Sequence, residues 1–229
     1  MNSNPSSPSY RDRHHAGRML AAQLAQYRGQ ADLLVLALPR GGVAVGYEVA
    51  RALQAPLDIF VVRKLGMPGH EEYAIGAIAS GGVSVMNPLA EQAVNQDELQ
   101  AVVAKERREL LRRELLYRGE RAAQSLRGRF VIVVDDGLAT GSTMRAALQA
   151  IRQQQPAHLV VAVPVGPQST CESLRDVADE VVCARMPTPF YAVGLWYQNF
   201  PQASDAEVRV LIEEADRLHR LEQVQGGQK

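Results

Sequence analysis

The residues best suited to chemistry lie in one short segment, where an apolar run ends in two adjacent acids and a polar turn follows. The run Val131–Val134 leads into Asp135 and Asp136, and the turn after them ends in Thr140–Thr143. Ligands of open parallel sheets bind at the carboxyl ends of the strands, where these acids would lie. Backbone N–H groups and hydroxyls at the start of the next helix can surround a phosphate. Because carboxylates repel phosphate, the acids suit sugar hydroxyls or a metal ion, and the segment predicts a phosphorylated sugar as ligand.

Three other kinds of site begin with a similar strand and turn, and the residues count against each of them. A Walker A loop has a lysine immediately before its serine or threonine, where this chain has Gly141. Gly41–Gly46 lacks the GxGxxG spacing of a dinucleotide-binding loop. A phosphoacceptor signalling domain needs a later lysine, but after Lys105 the next lysine is the last residue of the chain. A purely structural role for the two acids, as caps of the turn, is the alternative that stays open.

Two further segments carry polar residues that complement the acids. Pro39–Gly42 reads Pro-Arg-Gly-Gly after the first apolar run, and Arg63–Gly69 reads Arg-Lys-Leu-Gly-Met-Pro-Gly ahead of Glu72 and Tyr73. Together with the acids and the Thr-Gly-Ser-Thr turn, these motifs resemble the type I phosphoribosyltransferases. The turn is similar to that family's phosphoribosyl pyrophosphate motif, Pro39–Gly42 resembles its pyrophosphate loop, and Arg63–Gly69 resembles the start of the catalytic loop in the adenine-type members. The three motifs follow the family's order.

The resemblance implies that a nitrogen nucleophile, most simply a nucleobase, displaces pyrophosphate from the anomeric carbon of phosphoribosyl pyrophosphate. Mg²⁺ would bridge pyrophosphate and ribose oxygens. The Thr-Gly-Ser-Thr turn would bind the 5′-phosphate, and the pyrophosphate loop and the catalytic loop would bind the leaving group. The resemblance therefore assigns substrate binding to Arg40, Gly41, Gly42, Arg63, Ala139, Thr140, Gly141, Ser142, Thr143 and Trp196.

Catalysis is assigned by the same resemblance to two acids and one lysine. Asp135 and Asp136 would take the ribose hydroxyls, directly or through Mg²⁺ and water. Their charge would favour a cation-like transition state at the sugar. Lys64 would neutralise the departing pyrophosphate when the catalytic loop closes. The two acids are thus the predicted metal site, with an indirect contact to Mg²⁺.

Proton transfer at the acceptor needs another group, because Ala139 stands where the hypoxanthine and guanine enzymes of the family carry an aspartate. Glu72 is the residue that we expect to handle this proton, with Glu71 as the neighbouring alternative. A solvated pair of loop acids is the other interpretation of these two residues. The resemblance also implies a cis peptide bond between Pro39 and Arg40.

The acceptor pocket follows from the residues least directly. In the family that the chain resembles, a small hood built from terminal segments covers the base, and aromatic residues often stack on it. An aromatic cluster near the carboxyl end either forms such a stacking platform or packs a lid without contacting a ligand. Arg11–His14 could contribute to the same region, although a capped surface helix is the preferred interpretation. The aromatic residues are Phe190, Tyr191, Trp196, Tyr197 and Phe200.

The elements that must position these residues alternate between strand and helix. This alternation predicts an α/β fold, an open parallel sheet flanked by helices, with a long charged helix inserted into it, and the resemblance adds a small hood from terminal segments. Apolar runs predict buried strands at Leu33–Leu38, Leu57–Arg63, Phe130–Asp135, Leu159–Val163 and Glu180–Cys183. Helical spacing predicts helices at 11–27, 43–53, 142–153, 167–177 and 204–224, and Ala74–Met86 predicts a hairpin that turns at Ser80–Gly82.

The predicted organisation is a disordered lead at 1–10 and a single domain at 11–229. Its core spans about 30–185, and the hood or carboxyl-terminal lid spans about 186–224. The inserted helix at about 97–126 is strongly charged, and the spacing of Glu109 to Arg113 and of Glu114 to Arg118 favours a solvated face stabilised by local ion pairs. A nucleic-acid-binding stripe on this helix is the alternative.

The overall composition limits the partners. The 229 residues include 25 Lys and Arg against 25 Asp and Glu, which argues against binding nucleic acid or anionic lipid through bulk electrostatics. No apolar run approaches the roughly 20 residues of a membrane span. Two cysteines without metal-ligand spacing and an amino terminus unlike a secretory signal predict a cytoplasmic protein. We expect a homo-oligomer, a dimer, that takes phosphoribosyl pyrophosphate and a small-molecule acceptor.

Two other functions use the same predicted site. A regulator that senses phosphoribosyl pyrophosphate and binds nucleic acid needs the phosphate cradle but not the catalytic loop. A carbohydrate-phosphate hydrolase could also use the cradle. Arg63, Lys64 and Glu72, which would be expendable in a sensor, favour the enzyme.

Overall fold

The computed structural model describes residues 10–87 and 94–226, and the strands in these ranges form two sheets. The strands are β1 (Leu33–Ala37), β2 (Leu57–Ile59), β3 (Val62–Met67), β4 (His70–Ala79), β5 (Val83–Met86), β6 (Phe130–Val134), β7 (His158–Val165) and β8 (Glu180–Arg185). The α-helices are α1 (Arg13–Gln23), α2 (Gly42–Leu53), α3 (Gln96–Arg118), α4 (Ser142–Gln153), α5 (Gln168–Ser173) and α6 (Asp205–Gly226). The arrangement confirms the predicted α/β fold.

The central sheet has five parallel strands in the order β2-β1-β6-β7-β8. Every residue of β1 is buried, because alternate side chains enter two separate cores. Val35 packs with residues of α1, α2, α3 and α6, whereas Leu34 and Leu36 pack with residues of α4 and α5. Ala37 of β1 lies opposite Val134 of β6. The segments that follow these two residues, Pro-Arg-Gly-Gly and the acid pair, therefore start at the same edge of the sheet.

The predicted strand Leu57–Arg63 is wrong as a single element, because the two sheets divide it. β2 has only three residues, and the backbone changes partner at Val61. The Val61 N–H donates to Ser80 Oγ at 2.9 Å, and the Val61 carbonyl accepts from the Ser80 N–H at 2.9 Å. The chain thereby leaves the parallel sheet and enters β3, the first strand of the antiparallel sheet β3-β4-β5. Arg63 and Lys64 consequently lie on a hairpin instead of at the end of a core strand.

The antiparallel sheet contains the predicted hairpin Ala74–Met86, which is confirmed by the pairing of β4 with β5. Gly81 and Gly82 form its turn with φ of 84° and 74°, a conformation that favours glycine. β3 and β4 form a second hairpin, whose register is irregular at Gly66. A Cβ atom at Gly66 would lie 2.6 Å from the carbonyl oxygen of Glu71, so glycine permits the close approach of the two strands there.

The inserted helix α3 ends at Arg118, so the predicted helix at 97–126 extends too far. Gly119, with φ of 62°, ends the helix, and its N–H closes the last turn at 2.8 Å. The inward face of α3 packs against β3, β4, β2 and α6. The two predicted ion pairs on this helix are confirmed, Glu109 with Arg113 at 2.8 Å and Glu114 with Arg118 at 3.5 Å.

The remaining predicted helices are present, with shifted ends. Asp12 caps α1 by accepting a hydrogen bond from the His15 N–H at 2.7 Å, and a short 3₁₀ turn at Ala25–Tyr27 follows the helix. The predicted helix at 167–177 is α5 followed by the 3₁₀ turn Leu174–Asp176. None of the helices in the described ranges combines the length and the apolar character that crossing a bilayer requires.

The amino-terminal and carboxyl-terminal segments meet in the hood. Tyr10 was predicted to belong to the disordered lead, but its side chain is buried and its backbone pairs with Tyr197. The Tyr10 hydroxyl donates to the carbonyl oxygen of Pro164 at 2.7 Å. Residue 10 therefore belongs to the folded domain, because the hood supplies backbone partners that local sequence does not reveal. The rest of the predicted lead, residues 1–9, lies outside the described residues.

Candidate functional site

The acid pair lies directly after β6. Asp135 Oδ1 accepts a hydrogen bond from the Asp136 N–H at 2.8 Å, which turns the two carboxylates into the same region. Burial raises the pKa of Asp135 well above its usual range, and the charge of Asp136 raises it further. Burial also raises the pKa of Asp136, although the neighbouring guanidinium of Arg13 opposes that shift. Two partly buried acids that disfavour each other's charge suit a ligand that donates hydrogen bonds or carries positive charge.

The loop Pro39–Gly42 packs closely against Asp135 and Asp136. A Cβ atom at Gly41 would lie 1.9 Å from Asp136 Oδ2, and one at Gly42 would lie 2.9 Å from Asp135 Cα. Only glycine permits such an approach. The peptide bond between Pro39 and Arg40 is cis, as predicted. The structure thus brings the predicted pyrophosphate loop and the predicted sugar-binding acids into one site.

The predicted phosphate cradle lies at the start of α4. Gly141 adopts φ of 73° immediately before the helix, and the hydroxyls of Thr140 and Ser142 are 3.0 Å apart. The first turn of a helix leaves backbone N–H groups without intrahelical partners, which suits an anion. Thr170 of α5 supports the turn, since its hydroxyl donates to the Ala139 carbonyl at 2.9 Å. Ala139, Thr140, Ser142 and Thr143 are all exposed in this turn.

Arg13 of α1 joins the acid pair to the hood, a role that the sequence analysis missed. Its Nε donates to Asp136 Oδ2 at 2.7 Å, and its Nη1 donates to the Pro201 carbonyl at 2.7 Å. The guanidinium also lies 3.8 Å above the centre of the Phe200 ring. Nothing local in the sequence indicates these contacts, because Asp136 is 123 positions away along the chain.

The aromatic cluster of the hood is used largely for packing. Tyr197 is buried, and its hydroxyl donates to the Asp136 carbonyl at 2.6 Å. Burial raises the pKa of Tyr197 far above its usual value. Trp196 is half-buried and packs against the cluster formed by Tyr10, Val165 and Tyr197. Tyr191, by contrast, is 79% exposed. The lid interpretation therefore describes Tyr197, while Tyr191 presents its ring to solvent and Trp196, half-buried, is compatible with either interpretation.

The catalytic-loop residues lie on the β3–β4 hairpin, where their described polar contacts are with the hairpin itself and with α3. Arg63 Nε donates to Glu106 Oε2 at 2.8 Å, and Lys64 Nζ donates to the Glu72 carbonyl at 3.2 Å. Glu71 and Glu72 are exposed. A cavity of about 340 Å³ is lined by this part of the hairpin and by Val102, Lys105 and Glu106 of α3. The structure thus gathers the loop residues beside the inserted helix and not on the acid pair.

A metal ion would find few protein ligands here. Within the described ranges, no group of three or more His, Cys, Asp or Glu side chains has metal-binding geometry. Asp135 and Asp136 offer carboxylate oxygens, the ligand type that Mg²⁺ prefers, and Mg²⁺ is commonly bound by one or two carboxylates together with substrate phosphates and water. The donor set therefore fits Mg²⁺ that arrives with a phosphorylated ligand, and it does not fit a permanently bound ion.

Comparisons with known proteins agree with the fold. A family model described as the phosphoribosyl transferase domain matches residues 10–195. A protein from two strains of Mycobacterium tuberculosis, provisionally named a phosphoribosyl transferase, is 47% identical over 211 residues, which are 91% of this chain and 47% of that protein. The chain thus spans about half the length of the curated relatives it matches. A crystal structure from Thermus thermophilus is 43% identical, with a TM-score of 0.80 over 90% of this chain and 98% of that one.

Proposed function

Because the chain belongs to the phosphoribosyl transferase family, we propose that it transfers the 5-phosphoribosyl group from phosphoribosyl pyrophosphate to a nitrogen acceptor, a nucleobase, and releases pyrophosphate. The contact between Gly41 and Asp136 carries this proposal. It unites a loop that presents backbone to an anion with acids that suit sugar hydroxyls. A ligand that joins a sugar to a pyrophosphate matches both halves of the site.

Different parts of the donor would bind to different residues of the site. Asp135 and Asp136 would accept hydrogen bonds from the ribose hydroxyls and favour positive charge at the anomeric carbon. The turn Thr140–Thr143 would bind the 5′-phosphate at the start of α4. Gly41 and Gly42 would offer backbone N–H groups to the pyrophosphate, with Arg40 alongside. The hydroxyl groups of the donor would thus face hydrogen-bond acceptors, and its phosphate groups would face N–H donors.

Mg²⁺ fits the same site, with Asp135 and Asp136 as its protein contacts, directly or through water. When bound, it would neutralise part of the pyrophosphate charge and so make that group a better leaving group. Burial raises the pKa values of both acids and the charge of Asp136 raises that of Asp135 further, and a divalent cation would oppose both shifts.

The hairpin would supply the groups that act on departure of pyrophosphate and on the acceptor. Arg63 and Lys64 would neutralise the charge that develops on the leaving group. Glu72 would take the proton of the acceptor nitrogen. The assignments of Lys64 and Glu72 require this part of the hairpin to move towards the donor, because Lys64 presently donates to the Glu72 carbonyl within the hairpin itself.

The acceptor would lie between the donor and the hood. Val193 lies beside the residue that follows the acid pair, since a Cβ atom at Gly137 would lie 2.5 Å from Cγ1 of Val193. Tyr191 and Leu195, 79% and 63% exposed, flank Val193 with apolar surface on which a planar base can pack. Trp196 would contribute through the support that it gives to this segment.

A sensor of phosphoribosyl pyrophosphate that binds nucleic acid is the second candidate. The exposed side chains of Lys105, Arg107 and Arg108 on α3 favour it. Ion pairs elsewhere on α3 argue against this second candidate, because Glu109 neutralises its neighbouring arginines and Asp58 neutralises Arg118. The charge that is left for a nucleic acid is therefore small.

The decisive experiment measures pyrophosphate released from phosphoribosyl pyrophosphate and Mg²⁺ in the presence of a panel of nucleobases. We expect release that depends on one base, and a loss of about 100-fold or more in Asp135→Asn. Asp97→Asn, on the exposed first turn of α3, is the matched control and should retain full turnover.

Other outcomes of this assay discriminate between the functions. Tight donor binding without release for any base, together with salt-dependent affinity for nucleic acid, would favour the sensor. Release without any base would favour a hydrolase. Failure to bind the donor would refute the proposal altogether.

The proposed enzyme would be a cytoplasmic homodimer. Cys171 and Cys183 are free thiols, which suits a reducing cytoplasm. We propose a homodimer as the working assembly, to be checked by light scattering at several protein concentrations.

A further inference from the structure

One face of the inserted helix α3 contacts Arg63 directly and reaches Arg40, the other arginine assigned to pyrophosphate, through Asp205. Glu106, Leu110 and Tyr117 are spaced by four and seven residues, so they lie on the same side of the helix. Leu110 and Tyr117 are buried. This side therefore faces the domain, and its two polar ends, Glu106 and Tyr117, are three turns apart.

Glu106 contacts the first arginine directly. Arg63 approaches Glu106 Oε2 through Nε at 2.8 Å and through Nη2 at 2.5 Å. The Glu106 side chain is 12% exposed and that of Arg63 is 27% exposed, so solvent screens the pair only in part. A guanidinium has five N–H donors, and this contact uses two. Glu106 thus fixes the orientation of Arg63 while leaving donors for an anion.

Tyr117 reaches the second arginine through one intermediate residue. Its hydroxyl donates to Asp205 Oδ1 at 2.6 Å, and the same oxygen lies 3.8 Å from Arg40 Nη1. Burial, followed by the bond to Asp205, raises the pKa of Tyr117 to about 12, so the hydroxyl keeps its proton under physiological conditions. Tyr117 therefore orients the Asp205 carboxylate, which lies within ion-pair distance of the guanidinium of Arg40.

The far end of α3 is immobilised against the central sheet. Arg118 Nε donates to Asp58 Oδ1 of β2 at 2.9 Å, and Arg118 Nη2 donates to the Ile59 carbonyl at 3.1 Å. The backbone N–H of Gln124 also donates to the Asp58 carboxylate, at 3.2 Å. A helix fixed in this way can serve as a rigid support for the side chains along its face.

We propose that α3 is a positioning element for the leaving group, with Glu106 orienting Arg63 and Tyr117 orienting Arg40 through Asp205. This inference rests on the proposed function, because that function assigns pyrophosphate to the two arginines. It gives the inserted helix a specific task that its charged outer face does not reveal. The helix acts on the pyrophosphate half of the donor.

The test compares two ligands that share different parts of the donor. Inorganic pyrophosphate and ribose 5-phosphate are each titrated into the full chain with Mg²⁺ by calorimetry. Glu106→Gln should weaken pyrophosphate binding roughly tenfold, the size of effect expected when a hydrogen bond to a charged group is degraded. Tyr117→Phe should weaken it about threefold. Neither variant should change the affinity for ribose 5-phosphate.

Three controls separate positioning from a merely structural role. Arg108→Gln, on the exposed face of α3, should leave both affinities unchanged. Glu106→Asp keeps the charge and should restore part of the pyrophosphate affinity. Arg63→Met combined with Glu106→Gln should be no weaker than Arg63→Met alone, because Glu106 acts through Arg63.

Several results would overturn the inference. Pyrophosphate affinity that is unchanged or tighter in Glu106→Gln would contradict positioning, and the tighter result would identify Glu106 as a competitor for Arg63. Equal weakening of both ligands would mark a general structural defect. The base-panel assay judges the proposed function independently: a selective loss of pyrophosphate binding without base-dependent release would leave the inference standing and refute the enzyme.

Discussion

The donor site and the hairpin region are built by different means. At the ends of β1 and β6, the pairing of Ala37 with Val134 sets the backbone positions of Pro39–Gly42 and of the acid pair, and Gly42 lies against the backbone of Asp135. On the β3–β4 hairpin, by contrast, Arg63 and Lys64 are positioned by side-chain contacts with Glu106 and with the Glu72 carbonyl. Backbone contacts in a sheet cannot rearrange without unfolding it, whereas side-chain pairs can exchange partners. The molecule thus combines a preformed site, proposed to bind the donor, with an adjustable hairpin region, proposed to act on the leaving group.

The largest expected effect concerns the ion pair between Arg118 and Asp58, which attaches α3, and with it the hairpin region, to the central sheet. Asp58 and Arg118 are 7% and 8% exposed, so Arg118→Met leaves a carboxylate in the interior without its cation. We expect the free energy of unfolding to fall by about 3 kcal/mol, measured by urea denaturation. Adding Asp58→Leu should recover most of this loss, because a well-packed apolar pair is close to neutral. A loss below about 1 kcal/mol in the single variant would show that α3 is not attached here.

The next effect tests the preformed site. Gly41→Ala would place a methyl group 1.9 Å from Asp136 Oδ2, and either the loop or the acid must move. Binding of phosphoribosyl pyrophosphate should weaken by about 100-fold, as expected for a displacement near 1 Å. Gly29→Ala, whose Cβ atom would meet open space although φ is 79°, is the control and should bind the donor normally. Normal binding by Gly41→Ala would mean that the site adapts after all.

A smaller effect is expected from the support of the phosphate cradle. Thr170→Val removes the hydroxyl that donates to the Ala139 carbonyl and keeps the methyl group that lies against Gly141. The loss of one neutral hydrogen bond is worth about 1 kcal/mol. Ribose 5-phosphate should therefore bind about fivefold more weakly in calorimetric titrations, while inorganic pyrophosphate binds unchanged. Equal weakening of both ligands would contradict a local role for Thr170.

The smallest effect concerns the solvated face of α3. Hydrogen bonds from Arg112 and Arg113 lower the pKa of Glu109 to about 2. Because the pKa is lower in the folded state, the pair stabilises the protein above the ordinary carboxyl pKa, and this contribution disappears as the pH falls towards 2. Solvent screening limits it to about 0.5 kcal/mol. Glu109→Gln should abolish this part of the pH dependence of unfolding, whereas a change above 1 kcal/mol would place Glu109 among the packed residues.

The fold and the donor motifs were predictable because they depend on local pattern. Apolar runs such as Val131–Val134 indicate buried strands, and the Thr-Gly-Ser-Thr turn indicates a helix start that suits phosphate. The strand predicted at Leu57–Arg63 failed, since a switch between sheets at Val61 depends on Ser80. The extended end of the inserted helix failed because Gly119 ends it earlier.

By itself, the sequence determined the alternation of strands and helices, the pair Asp135 and Asp136 with its cradle, and the order of the three motifs. The tertiary structure alone decided that Arg13 pairs with Asp136, that Glu106 orients Arg63 and that Tyr10 belongs to the hood. The reason is physical. Local propensities and short motifs act over one or two turns of chain, whereas these contacts join residues brought together only after the sheet has formed and the terminal segments have packed on it.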